Sequence, residues 1–205
     1  MVQWRSWVKL RLKVLGVGSS MNKESFSTET LRIVLERVNR NDADTKLLNL
    51  NNTPLPIYNH KDSPETIHVN QAVDMVNWAD AIILATPDYH GSMSGSLKNF
   101  LDYFWSEFAG KTFGYICASH EKGLTVMDQM RTVIRQCYGW SLPYGISINS
   151  GQDFNERREI INESLLVRID YFARDLVVYG GLIREQFKKD LKSTINNSYA
   201  VRYRE

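Results

Sequence analysis

Cysteine is scarce in this 205-residue chain: Cys117 and Cys137 are the only two, and they form no C-x-x-C pair. That excludes a disulfide scaffold and a dithiol redox motif, and since both fall in segments that read as core, they are predicted to be reduced structural thiols. Long apolar runs are also missing. None spans a bilayer, and the opening Met1 to Leu10 lacks the apolar stretch of a secretory signal, so the chain reads as soluble and cytoplasmic, with no membrane partner. Neither sign of charge dominates: 25 Lys and Arg stand against 23 Asp and Glu, a net +2, and the basic residues are dispersed up to a tail from Lys188 to Arg204. No nucleic-acid surface is expected. The four histidines, His60, His68, His90 and His120, have neither i,i+4 spacing nor a partnering Cys pair, so no metal site is predicted.

Several catalytic signatures fail on inspection. No G-x-x-x-x-G-K-[ST] occurs, which excludes a P-loop. Gly16-Val17-Gly18-Ser19-Ser20-Met21 sits after a strand as a dinucleotide fingerprint would, but Met21 takes the third glycine position. Asn49 to Asn52 then stand where an acidic residue should close the second strand. Gly91-Ser92-Met93-Ser94-Gly95 has methionine at its centre, so it is no serine nucleophile elbow.

What is present is an alternation of apolar runs and amphipathic segments. Strands are predicted at Leu12 to Val17, Lys46 to Leu50, Ala81 to Ala85, Thr112 to Ala118 and Tyr144 to Ile148. Between and after them, helices are predicted over Ser25 to Val38, about Glu65 to Trp78, Gly91 to about Phe108, Gln129 to Cys137, and Glu156 to Tyr179. Five strands interleaved with helices imply one α/β domain with a doubly wound parallel sheet, because right-handed crossovers leave few other arrangements. Met93, Phe104, Trp105 and Phe108 read as a helix core stripe, and Asp102, Glu107 and Asp128 as solvated faces or caps. Lys188 to Glu205 is polar and weakly periodic, and an exposed or partner-bound tail is expected.

Two loops concentrate the chemistry. Ser19 to Thr28, between the first strand and first helix, has five hydroxyl-bearing residues in ten. There the orphan helix N–H groups and the positive end of the dipole favour an anion. Ser20, Asn22, Ser25 and Ser27 can each donate to phosphate oxygens; a single serine here can equally be a helix N-cap, but a cap needs one hydroxyl and the loop offers a cluster. The second stretch, Thr86-Pro87-Asp88-Tyr89-His90-Gly91-Ser92, follows a strand that reads as buried, the position where a parallel sheet exposes backbone donors to a ligand.

Ser20-Met21-Asn22-Lys23-Glu24-Ser25-Phe26-Ser27 and Thr86-Pro87-Asp88-Tyr89-His90-Gly91-Ser92 through Lys98-Asn99 together resemble the NADPH-dependent FMN reductase family of flavodoxin-like proteins, which includes quinone, chromate and azo-dye reductases. The likeness spans roughly Leu12 to Tyr179. It implies a sheet in the order 2-1-3-4-5, with an N-terminal extension over 1–11, a flavodoxin-like FMN-binding domain over 12–187 and a tail over 188–205. The family often has arginine where Asn22 stands, and Asp88 and His90 replace the commoner Glu and Asn.

The resemblance further implies bound FMN and NADPH or NADH, with no catalytic side chain, because the flavin carries the hydride chemistry. Its phosphate would meet Ser20, Asn22, Ser25, Phe26 and Ser27. Its ring would meet Thr86, Pro87, Asp88, Tyr89, His90, Gly91 and Ser92, with backbone N–H groups of the Asp88 to Ser92 turn reaching the ring edge. A third loop, Ala118 to Gly123, would add Ser119, His120, Lys122 and Gly123. A small-molecule electron acceptor, quinones first, and a homodimer or homotetramer are what the family implies. A flavodoxin-like electron carrier and a flavin-free scaffold are the rival readings, and the basic pI near 8.5 opposes the carrier, a class of strongly acidic proteins.

Overall fold

The computed structural model describes residues 11–61 and 65–204, so the expected N-terminal extension with Trp4 and Trp7 lies almost wholly outside the described residues. Strands β1 (Leu12–Gly18), β2 (Ala43–Asn49), β3 (Ala81–Pro87) and β4 (Thr112–Ala118) pair in parallel in the order β2-β1-β3-β4. β3 and β4 are buried over almost their whole length, which is why they read in the sequence as unbroken apolar runs. Helices α1 (Phe26–Arg40) and α6 (Glu163–Lys192) cover one face, where Leu31, Val34, Ile169 and Phe172 pack on Val14, Ile83 and Ile116. Helices α2 (Ile67–Trp78), α3 (Gly95–Asp102) and α4 (Leu124–Gln136) cover the other, packing Val76, Phe100 and Met130 with Leu15, Ile82 and Tyr115.

The fifth position of the sheet is shared by two short strands, of which only the second lies within the expected Tyr144 to Ile148. β5 (Trp140–Ser141) pairs with Thr112 and Phe113 at the start of β4, and β6 (Ile146–Ile148) pairs with Ile116 to Ala118 at its end. Between them lies Pro143, which has no N–H to give a ladder, so six strands occupy five positions. β2 begins three residues before the expected Lys46, at Ala43. The short helix α5 (Ser150–Asp153) follows β6.

Helices α3, α4 and α6 differ most from expectation in their boundaries. α3 begins at Gly95 rather than Gly91, because Ser94 caps it and the residues before form a turn; it ends at Asp102, and Ser106–Phe108 is a separate 3₁₀ turn. In that region Met93, Phe104 and Phe108 are buried as expected of core, whereas Trp105 is 58% exposed. α4 starts at Leu124, five residues before the expected Gln129. α6 starts at Glu163 behind its Asn162 cap, not at Glu156, and runs thirteen residues beyond Tyr179. Gly180 lies inside the helix, and a Cβ there would lie 3.3 Å from Leu12 Cδ2, so the glycine marks a close passage over the sheet.

The segment expected to be an exposed or partner-bound tail lies largely at the surface but is in large part helical. Lys188 to Lys192 complete α6, and Tyr199–Tyr203 forms a 3₁₀ turn whose Ala200 is buried beside Phe187 and Ala109. Tyr199 stacks on Tyr138 at 5.8 Å, and Arg204 donates to the carbonyls of Asp190 and Ile195.

Candidate functional site at the carboxyl edge of the sheet

β1, β3 and β4 are neighbours, so the loops after them meet at one edge of the sheet. β1 leads outward to β2 on one side and the chain then returns to β3 on the other, the switch point where doubly wound sheets open a crevice for ligands.

In the first loop, Ser25 caps α1 by accepting from Thr28 N at 3.3 Å and lies 2.9 Å from Ser27 Oγ. Ser20 Oγ accepts from Asn22 N at 3.2 Å, and Asn22 Oδ1 accepts from Glu24 N at 3.0 Å. These bonds use acceptors and leave donors: among the described residues nothing inside the protein meets Asn22 Nδ2 or the Ser20 hydroxyl hydrogen. Phe26 and Ser27 open the helix, so their amides have no intrahelical acceptor. Thr28 Oγ1 is buried without a partner. The donor set fits a phosphate group.

The second loop is a tight turn. Tyr89 and Ser92 exchange both backbone bonds, at 2.9 and 3.2 Å, and His90 and Gly91 between them have φ of +57° and +75°, the pattern of a type I′ turn. Asp88 N donates to Ala118 O, and Gly91 N donates to Asp88 Oδ1. The expected row of free amides from Asp88 to Ser92 is thereby narrowed, because four of the five are engaged within the protein and His90's is left. Thr86 is buried and inward-facing: its hydroxyl donates to Pro87 O and accepts from Ser94 N. Pro87 and Ser92 are partly buried, while Tyr89 is 50% exposed and His90 is exposed with no side-chain partner among the described residues.

In the third loop, Ser119 N donates to Ile148 O, and Ser119 Oγ donates to Asp88 Oδ2 at 2.8 Å while accepting from Glu121 N. The Asp88 carboxylate thus binds loops two and three together. His120 and Lys122 are exposed, and Gly123 at φ +56° passes directly over Cys117, where no side chain fits. Burial, with the Asp88 charge nearby, pushes the Cys117 thiol up to about 12. Both cysteines are free and buried.

Three residues that brace these loops escaped the sequence reading. Ser94 Oγ bonds to Ser19 Oγ and Ser19 O, and Ser96 Oγ to Ser19 O, locking loops one and two. Gln129 of α4 accepts from Ser92 Oγ and Met93 N and donates to Gly91 O, clamping the turn. Arg158 donates to Glu24 O at 2.7 Å. Only Ser94 carried a local signal, a serine three residues ahead of Leu97 at a helix start. Two clefts, of about 570 and 660 Å³, include none of the expected site residues in their lining.

Several known proteins are similar to this chain. An NADPH azoreductase from Bacillus sp. (strain OY1-2) is 29% identical over 118 residues, 53% of this chain and 66% of that protein. An FMN-dependent NADPH-azoreductase from Staphylococcus aureus is 26% identical over 72% of this chain and 82% of its own length. An NAD(P)H:quinone oxidoreductase from Methanothermobacter marburgensis superposes with a TM-score of 0.59 at 16% identity, covering 81% of this chain and 99% of that one, which shows a common fold. Residues 12–153, more than half of the chain, match the profile described as NADPH-dependent FMN reductase. The chain belongs to the NADPH-dependent FMN reductase family, flavodoxin-like oxidoreductases with FMN and NAD(P)H as their cofactors.

Proposed function

We propose that the three loops hold FMN, with its phosphate at the start of α1 and its ring beside the Pro87 to Ser92 turn, in a reductase that oxidises NADPH or NADH and then reduces a small acceptor in the same pocket. Bound FMN supplies the hydride acceptance from the nicotinamide and the electron delivery to the acceptor. The protein supplies position and charge. The observation that carries the reading is the contrast within the edge: loop hydroxyls and carboxylates are tied to one another, yet the donors of Ser20, Asn22, Phe26 and Ser27 face no internal acceptor among the described residues.

Each loop or its following helix presents one exposed apolar side chain, Met21, Tyr89 and Leu124. Such surfaces favour planar, weakly polar acceptors, so quinones and azo dyes are the classes to try first. Gly91 has open space where a Cβ would stand, and the His90 amide is the turn's remaining donor for the ring edge. Ping-pong order follows from a single pocket serving both substrates in turn.

Assembly as a homodimer or homotetramer belongs to the same proposal, supported by Val167, Tyr171, Tyr179 and Leu182, which stay exposed along one side of α6. No helix among the described residues is long and apolar enough to cross a membrane. A cytoplasmic setting accords with two unpaired thiols.

The test is anaerobic addition of NADPH to the FMN-loaded protein. Direct bleaching of the flavin, followed by reoxidation on adding a quinone or azo dye, is the expected result. A flavin that stays oxidised would instead mark a carrier reduced by a partner protein.

A further inference from the structure

The chain segment from Phe154 to Ile160, within which the sequence reading starts the last helix at Glu156, is a braced hairpin that touches the first loop. Phe154 and Ile160 form an antiparallel bridge. Asn155 N donates to Glu159 O at 3.0 Å, its Oδ1 accepts from Glu159 N at 2.9 Å, and its Nδ2 donates to Glu159 Oε2 at 2.7 Å. Phe154 packs its ring on Phe26, with centroids 4.8 Å apart. Arg158 stands within this hairpin at φ +63°, a left-handed conformation that a side-chain-bearing residue adopts at a cost.

Both contacts of the guanidinium fall on the first loop, 134 residues away in sequence. Nη2 donates to Glu24 O at 2.7 Å, and the guanidinium carbon lies 4.0 Å from the centroid of Phe26. Arg37, Arg131, Arg174 and Arg184 each have a carboxylate within ion-pair distance; among the described residues Arg158 has none. Glu159, its neighbour, is occupied by Asn155. From Ser19 to Glu29 the chain carries one lysine, the exposed Lys23, against two glutamates, Glu24 and Glu29, so by itself the segment is acidic.

We propose that Arg158 is a positioning residue of the phosphate site: it fixes the backbone between Glu24 and Phe26, where α1 opens its unpaired amides, and places an unneutralised positive charge there. The consequence is selectivity for a phosphorylated flavin over one without phosphate. This rests on the FMN reading above, and it assigns a role to a residue beyond the 12–153 region that matches the family profile.

The experiment titrates the full-length apoprotein with FMN and, separately, with riboflavin, following flavin fluorescence, for the wild type and for Arg158→Gln, Arg158→Lys and Arg158→Gly. Arg158→Gln is expected to lose about tenfold in FMN affinity, the loss of one charge-assisted contact, while riboflavin affinity changes less than about twofold. The salt dependence of FMN binding should weaken with it. Arg158→Lys, which keeps the charge without the planar fork, should recover part of the loss. Arg158→Gly suits the positive φ, so it should keep the wild-type thermal midpoint within a few degrees while losing FMN selectivity, which separates binding from folding. An unchanged FMN-to-riboflavin ratio in Arg158→Gln, or an equal loss for both flavins, overturns the proposal. A wild-type protein that binds neither flavin overturns the FMN reading itself, a result visible without any variant.

Discussion

Ser94 Oγ lies 2.9 Å from Ser19 Oγ and 3.2 Å from Ser19 O, joining residues 75 apart in sequence at the point where the first two loops leave the sheet. The same oxygen caps α3 by accepting from Leu97 N. Both serines are buried, so the pair is shielded from competing water. Ser94→Ala removes the cap and the cross-loop bond together and is expected to cost about 1–2 kcal/mol, read as a lower urea midpoint with an unchanged slope. FMN affinity should fall in parallel. A midpoint equal to the wild type's would show that the two loops are held by other means.

Gln129 makes three hydrogen bonds to Gly91, Ser92 and Met93, reaching across from α4. It is partly exposed, so Gln129→Ala should cost less than about 1 kcal/mol of global stability while releasing the turn. FMN affinity is then expected to drop about three- to tenfold, a loss on the scale of one or two net hydrogen bonds. Gln129→Glu retains the acceptors but not the donor to Gly91 O, and should be intermediate. Wild-type affinity in both variants would remove Gln129 from the account.

Asp80 supplies the acid dependence. Burial pushes its carboxyl up, but the Lys188 ammonium, the Lys13 N–H and the Arg184 guanidinium outweigh that and hold it below the usual carboxylate range. A depressed carboxyl stabilises the fold at pH values above its unfolded pKa near 3.8, and that stabilisation is lost as pH falls through the folded value. Asp80→Asn should therefore be less stable than the wild type by about 1–3 kcal/mol at neutral pH, with the gap closing below about pH 4. Thermal midpoints across this range check it; a gap that persists into strong acid would mean that shape, not charge, is what Asp80 contributes.

The thiols give an alkaline counterpart. With Cys117 raised from 9.0 to about 12, the folded protein keeps a proton that the unfolded chain sheds, so this group makes stability fall as pH climbs from about 9. Lys111 opposes it in part: burial lowers its ammonium from 10.5 to about 8, which adds stability between those values. The cleaner readout is reactivity. A thiol-disulfide reagent at pH 8 should leave native Cys117 unmodified for hours and modify it promptly in denaturant. Rapid labelling of Cys117 in the native protein would contradict its burial beneath Gly123.

The sheet was legible in the sequence to the degree that its strands are buried on both faces. β3 and β4 are continuous apolar runs and were placed within two residues, whereas at the fifth position Tyr144 to Ile148 reads as one strand and the two-residue β5 before Pro143 leaves no apolar run to find. The first two loops were visible because their residue types are set by the loop itself. Their supports were not, since Gln129 reaches Met93 across 36 positions and Arg158 reaches Glu24 across 134. Nor does composition reveal which amides are spent: the pairing of Tyr89 with Ser92 uses two of those in the turn, and Ala118 O and the Asp88 carboxylate take two more.

The most direct test is a titration of apoprotein with FMN, comparing the wild type with Ser20→Glu and with Asn22→Asp, the second of which changes an exposed side chain almost isosterically. If the phosphate sits at the start of α1, the wild type binds saturably, Asn22→Asp weakens binding at least about tenfold and Ser20→Glu abolishes it, through like-charge repulsion at contact distance. Binding of undiminished affinity in both folded variants would place the flavin phosphate elsewhere and contradict the account.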